Sequence, residues 1–243
     1  MTRWAASAIA VALLALSGCG ESYSYRYRLS LHVDDNGELL SGSNVVEMQT
    51  SIYSGLASIG SAGPQVQTSA HGEALIIRLK NGKLLVAGLR ALDWKAEGSK
   101  SPRLWFEDSP LAVLQVAYEI APPHASTTTG DWLDDYRATL RDIQSQSGPR
   151  EILFDHLPDL LTFSEPSNPA SVAVVNPHDL SSSLGNGVRL IKATIEVTGD
   201  DLSYGIEKQL PWVATIDGRV FSGKFATDTS EPKDVIHRMW LRR

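Results

Sequence analysis

The residues that follow position 22 alternate between apolar and polar side chains. Serine, arginine and histidine occupy one set of alternate positions, and the other set is aromatic or aliphatic. The apolar set is Tyr23, Tyr25, Tyr27, Leu29, Leu31 and Val33. A period of two with one apolar face is typical of a half-buried β-strand. The pattern therefore predicts a first strand over 23–33, with most of its tyrosine face in the core and the end nearest the N-terminus as a contact surface.

Two Asn-Gly pairs predict hairpins in this half of the chain. Asn36-Gly37 follows the first strand and predicts a second strand that returns through Glu38 to Tyr53. Asn81-Gly82 joins two further apolar runs between His71 and Leu89. Because Asn and Gly tolerate φ > 0, both pairs are expected to form two-residue turns between antiparallel strands. Gly42, inside the second strand, predicts a bulge or a bend.

Helical signals appear in the middle of the chain. Ser109-Pro110 opens an apolar stretch to Ile120, and serine as N-cap with proline at the first position favours a helix, although the valine content leaves a strand open. A second helix is predicted from Asp131 to Gln144. Its apolar stripe holds Trp132, Tyr136, Leu140 and Ile143, with Leu133 beside it. Its water-facing side is predicted to hold Asp134, Asp135, Arg137 and Arg141.

The last third is rich in turns and short elements. Short strands are predicted at Leu160–Phe163 and 171–175, and a capped helix at 177–184 that ends at Gly185. A longer strand is predicted at 187–198. Its apolar face is expected to hold Arg189, Ile191, Ala193, Ile195 and Val197. The chain is thus predicted to be α+β, mainly antiparallel sheet with N-terminal hairpins and two or three helices in the middle and C-terminal part.

The pattern of the N-terminal residues predicts a targeting segment. Arg3 precedes an apolar run from Ala5 to Leu16 that only Ser7 interrupts. A membrane-spanning helix needs about 20 apolar residues, so this run is too short to span and matches the apolar region of a secretory signal peptide. The run ends in the sequence Leu16-Ser17-Gly18-Cys19.

This ending resembles the bacterial lipobox. The resemblance implies that a diacylglycerol alkylates the Cys19 thiol, that the chain is cut before Cys19, and that a fatty acid such as palmitate acylates the new amino group. The alternative is an ordinary secretory signal with one leftover cysteine. Lipidation is favoured because it consumes the only cysteine of the chain, which would otherwise be an odd thiol in an oxidising compartment.

The lipobox also implies an organisation and a location. Residues 1–18 are predicted to be the signal peptide, 19–22 the lipidated cysteine with a short tether, and 23–243 a single α+β domain. Two or three acyl chains would hold the protein stably on a membrane. Gly20, and not an aspartate, follows Cys19. In Gram-negative lipoproteins this implies sorting to the outer membrane, facing the periplasm.

The amino-acid composition argues against one class of binding partner. The 243 residues include 22 basic and 28 acidic side chains, for a net charge of −6. This balance argues against nucleic acid, whose affinity for proteins comes largely from lysine and arginine on phosphates. Hydrophobic residues make up 42%, enough for an ordinary core. The expected partners are therefore membrane lipid, through the acylated cysteine, and an envelope protein.

Five blocks resemble an uncharacterised family of proteobacterial lipoprotein-like proteins. They are YRYRLSLHV, SGSNVVE, LPDLLTF, NPHDLSSSLGNGVRLIKATIEVT and GIEKQLPW. They cover the first two strands and most of residues 157–212. The resemblance implies a bacterial origin and an envelope location, and it implies no catalytic residue.

Candidate chemistry is sparse. Asp155, His156 and Asp159 gather in one short stretch, where a carboxylate beside an imidazole suits a general base or a metal ligand. The favoured alternative is a turn before Pro158 with solvated polar residues. His178-Asp179 is a second such neighbour pair, interpreted as helix capping. No metal or cofactor is predicted, because the six histidines lack the spacing that places two on one helical face.

Two classes of function follow from these observations. The first is a membrane-anchored envelope lipoprotein of unknown specific role that binds or scaffolds another component without catalysis. The absence of a nucleophile motif or a metal pattern favours it. The second is a periplasm-facing hydrolase whose site is assembled only in the fold, with His156 and nearby acids as its candidates.

Overall fold

The structure, a computed structural model, describes residues 20–54, 64–89, 110–120, 131–214 and 241. The signal segment and Cys19 lie outside these residues. The strands are β1 (Glu21–Asp35), β2 (Glu38–Tyr53), β3 (Gln65–His71), β4 (Leu75–Arg78), β5 (Leu84–Ala87), β6 (Arg150–Glu151), β7 (Leu160–Phe163), β8 (Val172–Val175) and β9 (Val188–Thr198). The helices are α1 (Leu111–Ala117), α2 (Asp131–Gln144) and α3 (Ser181–Leu184). The predicted α+β class is confirmed.

Two antiparallel sheets form the scaffold. The first has five strands in the order β3-β2-β1-β9-β6, and the second has four in the order β4-β5-β7-β8. β1 pairs with β2 along its whole length of 15 residues, about 50 Å at about 3.4 Å per residue. The predicted alternation along β1 is confirmed, since Tyr25 and Tyr27 are buried and Tyr23 packs partly buried against the same core.

The first Asn-Gly pair forms the predicted turn, and the second does not. Asn36 and Gly37 have φ of 54° and 85° and join β1 directly to β2. At the second hairpin, Leu79 pairs with Lys83 through a 2.9 Å hydrogen bond around a three-residue loop, in which only Gly82 has positive φ. The prediction of a two-residue turn is wrong there. The Asn81 side chain holds the wider loop, because it accepts from the Lys83 N–H and donates to the Leu184 carbonyl.

Gly42 does not mark the predicted bulge. The β1–β2 register runs unbroken past it, with Gly42 opposite Leu31. A Cβ at this position would lie 2.7 Å from Ile77 Cγ1 and 3.3 Å from Leu75 Cδ2. The second sheet therefore packs closely on the first at Gly42, and the missing side chain makes room for β4.

The bulge lies instead in β9. The register with β1 shifts between His32, which faces Lys192, and Val33, which faces Leu190. Ile191 is the extra residue and is 49% exposed. One extra residue reverses the faces of a strand with period two. The predicted apolar face is therefore correct after the bulge, from Ala193 onward, and wrong before it. The buried residues of β9 are Val188, Leu190, Ala193, Ile195 and Val197.

Two apolar clusters lie on opposite faces of the second sheet. β5 is buried on both faces. Leu85 and Ala87 belong to the large cluster shared with the first sheet and the helices, whereas Leu84 and Val86 belong to a smaller one with Trp212 and Leu241. The Ala74 N–H donates to the Leu241 carbonyl at 2.7 Å, so the end of the chain closes this smaller cluster.

The helices confirm most of the sequence-based bounds. α1 is a helix and not a strand, and α2 spans the predicted residues. Arg137 of α2 was expected to face water, but its side chain is only 18% exposed because it pairs with Glu21. α3 is a single turn, shorter than predicted, because a separate turn occupies Pro177 and His178. Within the described ranges, no helix has the length and hydropathy needed to cross a bilayer.

Candidate functional site

A surface cleft lies where β9 ends beside β1. β9 pairs with β1 only as far as Thr198, which faces Arg26, so the first residues of β1 extend beyond it. The end of α2 lies against this extension, and Gln144 Nε2 donates to the Ser24 carbonyl at 2.8 Å. The cleft between them has a volume of about 580 Å³. Its lining consists of Ser24, Tyr25, Arg26, Glu47, Gln144, Gln146, Ser147, Val197, Thr198 and Gly199.

A buried tyrosine holds two walls of the cleft together. The Tyr118 hydroxyl donates to the Gly148 carbonyl at 2.7 Å and accepts from the Val197 N–H at 3.0 Å. The Arg150 guanidinium lies 5.4 Å from the centre of its ring. Burial raises the pKa of Tyr118, so its hydroxyl stays protonated and keeps its donor. The loop after α2 and the end of β9 are therefore fixed relative to each other.

Ion pairs surround the cleft. Arg26 lies 3.7 Å from Glu47 and 3.8 Å from Asp201, and it donates to the Asp200 carbonyl at 3.0 Å. Arg28 pairs with the side chain of Asp200 and, at 3.1 Å, with Glu196. Both arginines are therefore engaged by carboxylates of the protein itself.

The N-terminal end of β1 is tied to α2 by a two-bonded ion pair. Arg137 donates to both carboxylate oxygens of Glu21, at 2.5 and 2.9 Å. The Arg137 guanidinium holds the pKa of Glu21 below its usual range. The Tyr23 hydroxyl donates to the same carboxylate at 3.0 Å. The helix therefore braces the strand that leads to Cys19.

The structure joins one member of each predicted imidazole–carboxylate pair: His178 contacts Asp155 and not its neighbour Asp179. His178 Nε2 lies 2.7 Å from Asp155 Oδ1, and the His178 ring lies 5.8 Å from the ring of Phe154. Both members of the pair are more than half exposed, at 57% and 58%. Such exposure leaves the pair in water, where a carboxylate–imidazole contact is weak.

The remaining predicted site residues are dispersed. Asp159 is fully buried, so the interpretation of a turn with solvated polar residues is wrong at that position. Asp179 lies just before the N-cap residue Leu180 of α3 and accepts from Ser181 Oγ at 2.6 Å and from the Ser182 N–H at 3.3 Å. None of the residues at 155, 156, 159, 178 and 179 lines the cleft.

His156 gives the first testable prediction. Burial lowers the pKa of His156 from its ordinary value of about 6.5. The unfolded chain then binds a proton more readily, so stability is present above pH 6.5 and is lost as the pH falls through that value towards the lowered one. His156→Gln is expected to remove part of this loss, measured as the change in urea midpoint between pH 7.5 and pH 5.5.

The matched control for this variant is His71→Gln, at an exposed histidine on β3. Equal acid sensitivity in both variants would contradict the assignment to His156.

A second polar cluster, which the sequence pattern did not reveal, seals the junction of the two sheets. Asn44 is 3% exposed and donates to the Glu73 carbonyl at 2.6 Å. The Glu73 carboxylate accepts from the Ile206 N–H at 2.8 Å. Ser203 accepts from the Val45 N–H at 2.9 Å. These contacts join segments far apart in the chain and fix the connection after β9 against β2.

The cleft lining also escaped prediction. Glu47, Gln144, Gln146 and Ser147 belong to no motif, and only the fold places them together. Among the described residues, no group of three or more histidine, cysteine, aspartate or glutamate side chains is arranged to hold a metal ion. Comparison of the chain with protein-family models, with curated proteins and with solved structures finds no match.

Proposed function

We propose that this protein is a membrane-anchored envelope lipoprotein that binds another envelope component in the cleft beside its anchor. The observation that carries the proposal is the start of β1 at Glu21, two residues after Cys19. The cleft begins at Ser24, and five residues span at most about 18 Å even when fully extended. If Cys19 is acylated, the cleft is held near the membrane surface, on a domain braced at that end by the Glu21–Arg137 pair.

The chemistry of the cleft supports binding over catalysis. The part of its lining that the structure describes consists mainly of hydroxyl, amide and ion-paired side chains, and none of these described residues is a histidine or a cysteine. Nucleophilic catalysis needs a nucleophile within reach of a base that a third group orients. Among the described lining residues, Ser24, Ser147 and Thr198 share the cleft with one carboxylate, Glu47, and that carboxylate is paired with Arg26 at 3.7 Å. What the lining offers is a set of fixed hydrogen-bonding groups.

Hydrolysis is the second candidate function, and one observation supports it. The 2.7 Å contact between His178 and Asp155 is the geometry in which a carboxylate orients an imidazole base. The pair lies on an exposed surface, whereas catalytic bases usually work in clefts that exclude water. The binding function is therefore preferred.

Site-specific cross-linking tests the proposal. A photoreactive amino acid at Ser147, an exposed position of the cleft, is expected to give a light-dependent adduct in intact cells. The same group at Gln67, exposed on β3, serves as the matched control and is expected to give none. Adducts at both positions, or at neither, would contradict binding in the cleft.

A further inference from the structure

We infer that the ligand of the cleft is an uncharged, polyhydroxylated molecule, that is, a saccharide. This inference rests on the proposed function and specifies what the cleft binds. Three properties of the lining carry it: the balance of charge, the supply of hydrogen-bonding groups, and the lack of an open apolar surface.

The charge balance disfavours an anion. Arg26 lines the cleft, Arg28 follows two residues later on the same face of β1, and both are engaged by carboxylates. The carboxylates that pair with these two arginines outnumber them: Glu47, which also lines the cleft, and Glu196, Asp200 and Asp201. A phosphate or a carboxylate ligand would have to displace one of these contacts and enter a region of net negative charge. A neutral ligand meets no such opposition.

The hydrogen-bonding groups suit hydroxyls. Gln144 donates to the Ser24 carbonyl and Gln146 donates to the Asp142 carbonyl, at 2.8 and 3.1 Å. These bonds use the amide nitrogens and fix each amide, so the amide oxygens remain as acceptors. The hydroxyl of Ser147 adds a group that both donates and accepts. A sugar hydroxyl also donates and accepts, so it complements this mixed lining.

The apolar surface disfavours a peptide. Tyr25 and Val197 are the apolar lining residues, and they are only 6% and 8% exposed. Protein partners are usually anchored by an aromatic or aliphatic side chain in an apolar pocket, which this lining does not offer. Addition of a peptide strand to the edge of β1 is also opposed, because Gln144 already occupies the Ser24 carbonyl.

Saturation-transfer NMR on the full-length lipidated protein, in a detergent without sugar headgroups, tests the inference. The neutral probe is a trimer of N-acetylglucosamine, and the charged probe is a trimer of galacturonic acid. Transfer to the neutral trimer is expected to be at least threefold stronger than to the acidic one. Gln146→Ala is expected to reduce it at least threefold, whereas Gln67→Ala, at an exposed glutamine on β3, should leave it unchanged.

Equal or stronger transfer to the acidic trimer, or equal effects of the two glutamine variants, would overturn the inference. Two neutral competitors distinguish the sources of such a sugar, namely the free disaccharide of N-acetylglucosamine and vesicles that carry a neutral glycolipid. Competition by either supports the inference, and competition by neither contradicts it. An adduct at Ser147 in cells without sugar binding would overturn the inference alone, whereas sugar binding without that adduct would overturn the proposed function alone.

Discussion

Replacement of Cys19 by serine is expected to abolish incorporation of labelled palmitate and to leave the precursor uncut. The thioether to diacylglycerol needs a thiolate, and a serine hydroxyl ionises far too weakly to replace it. Without two or more acyl chains, the domain would lose its stable attachment to the membrane. The measurement is metabolic labelling with palmitate, followed by separation of precursor and mature forms by mass. The adduct at Ser147 should disappear in the same variant.

The control for this experiment is the double variant Asp155→Ala and His156→Ala. These residues lie outside the cleft, so labelling and the Ser147 adduct are expected to persist. Palmitate incorporation into the Cys19→Ser protein would show that the lipobox interpretation is wrong. A correctly folded double variant that lost its cellular role would instead favour the hydrolase, because the Asp155 change also removes the contact with His178.

Substitution of Gly42 by valine is expected to lower the free energy of unfolding by about 3 kcal/mol, the upper part of the range for overpacked cores. Its Cβ alone would lie 2.7 Å from Ile77 Cγ1, and the two γ-carbons of valine would add to the collision between the sheets. The strand propensity of the new residue would raise stability instead, because valine favours a strand more than glycine does. A measured loss would therefore report the collision, and urea denaturation measures it.

Two comparisons make this experiment specific. Gly199→Ala, where an added Cβ would meet nothing within 4 Å, is expected to change stability little. Ile77→Ala combined with Gly42→Val should cost less than the two single changes together, by a coupling of about 0.5–3 kcal/mol for residues in contact. Strict additivity would show that a side chain at position 42 does not collide with Ile77.

The strands and the first turn could be predicted because their causes are local. Alternation along β1 depends on neighbouring residues, and Asn36-Gly37 carries its own preference for positive φ. The bounds of α2 follow in the same way from its apolar period. The second hairpin departs from the prediction because the Asn81 side chain bonds Leu184, more than a hundred residues away, and a local rule does not contain that contact.

The candidate site could be predicted only in part. The alternation along β1 placed its arginines on the face opposite the tyrosines, and Arg26 of that set lines the cleft. Their pairing was not foreseen, because partners such as Arg26 and Asp200 are separated by 174 residues. The composition indicates only that such charges exist.

The sequence by itself determined the α+β class, the buried face of β1 and the first hairpin, since each depends on residues close together in the chain. The lipobox at Cys19 is a prediction of the sequence alone. Only the tertiary structure decided which polar residues meet. It joined Gln144 to Ser24 and Arg137 to Glu21, and it joined His178 to Asp155 rather than to its own neighbour Asp179. It also determined the bulge at Ile191 and the close approach at Gly42. The physical reason is that these contacts arise from the packing of one element on another, and the side-chain pattern of a single element does not record the distance to its neighbour.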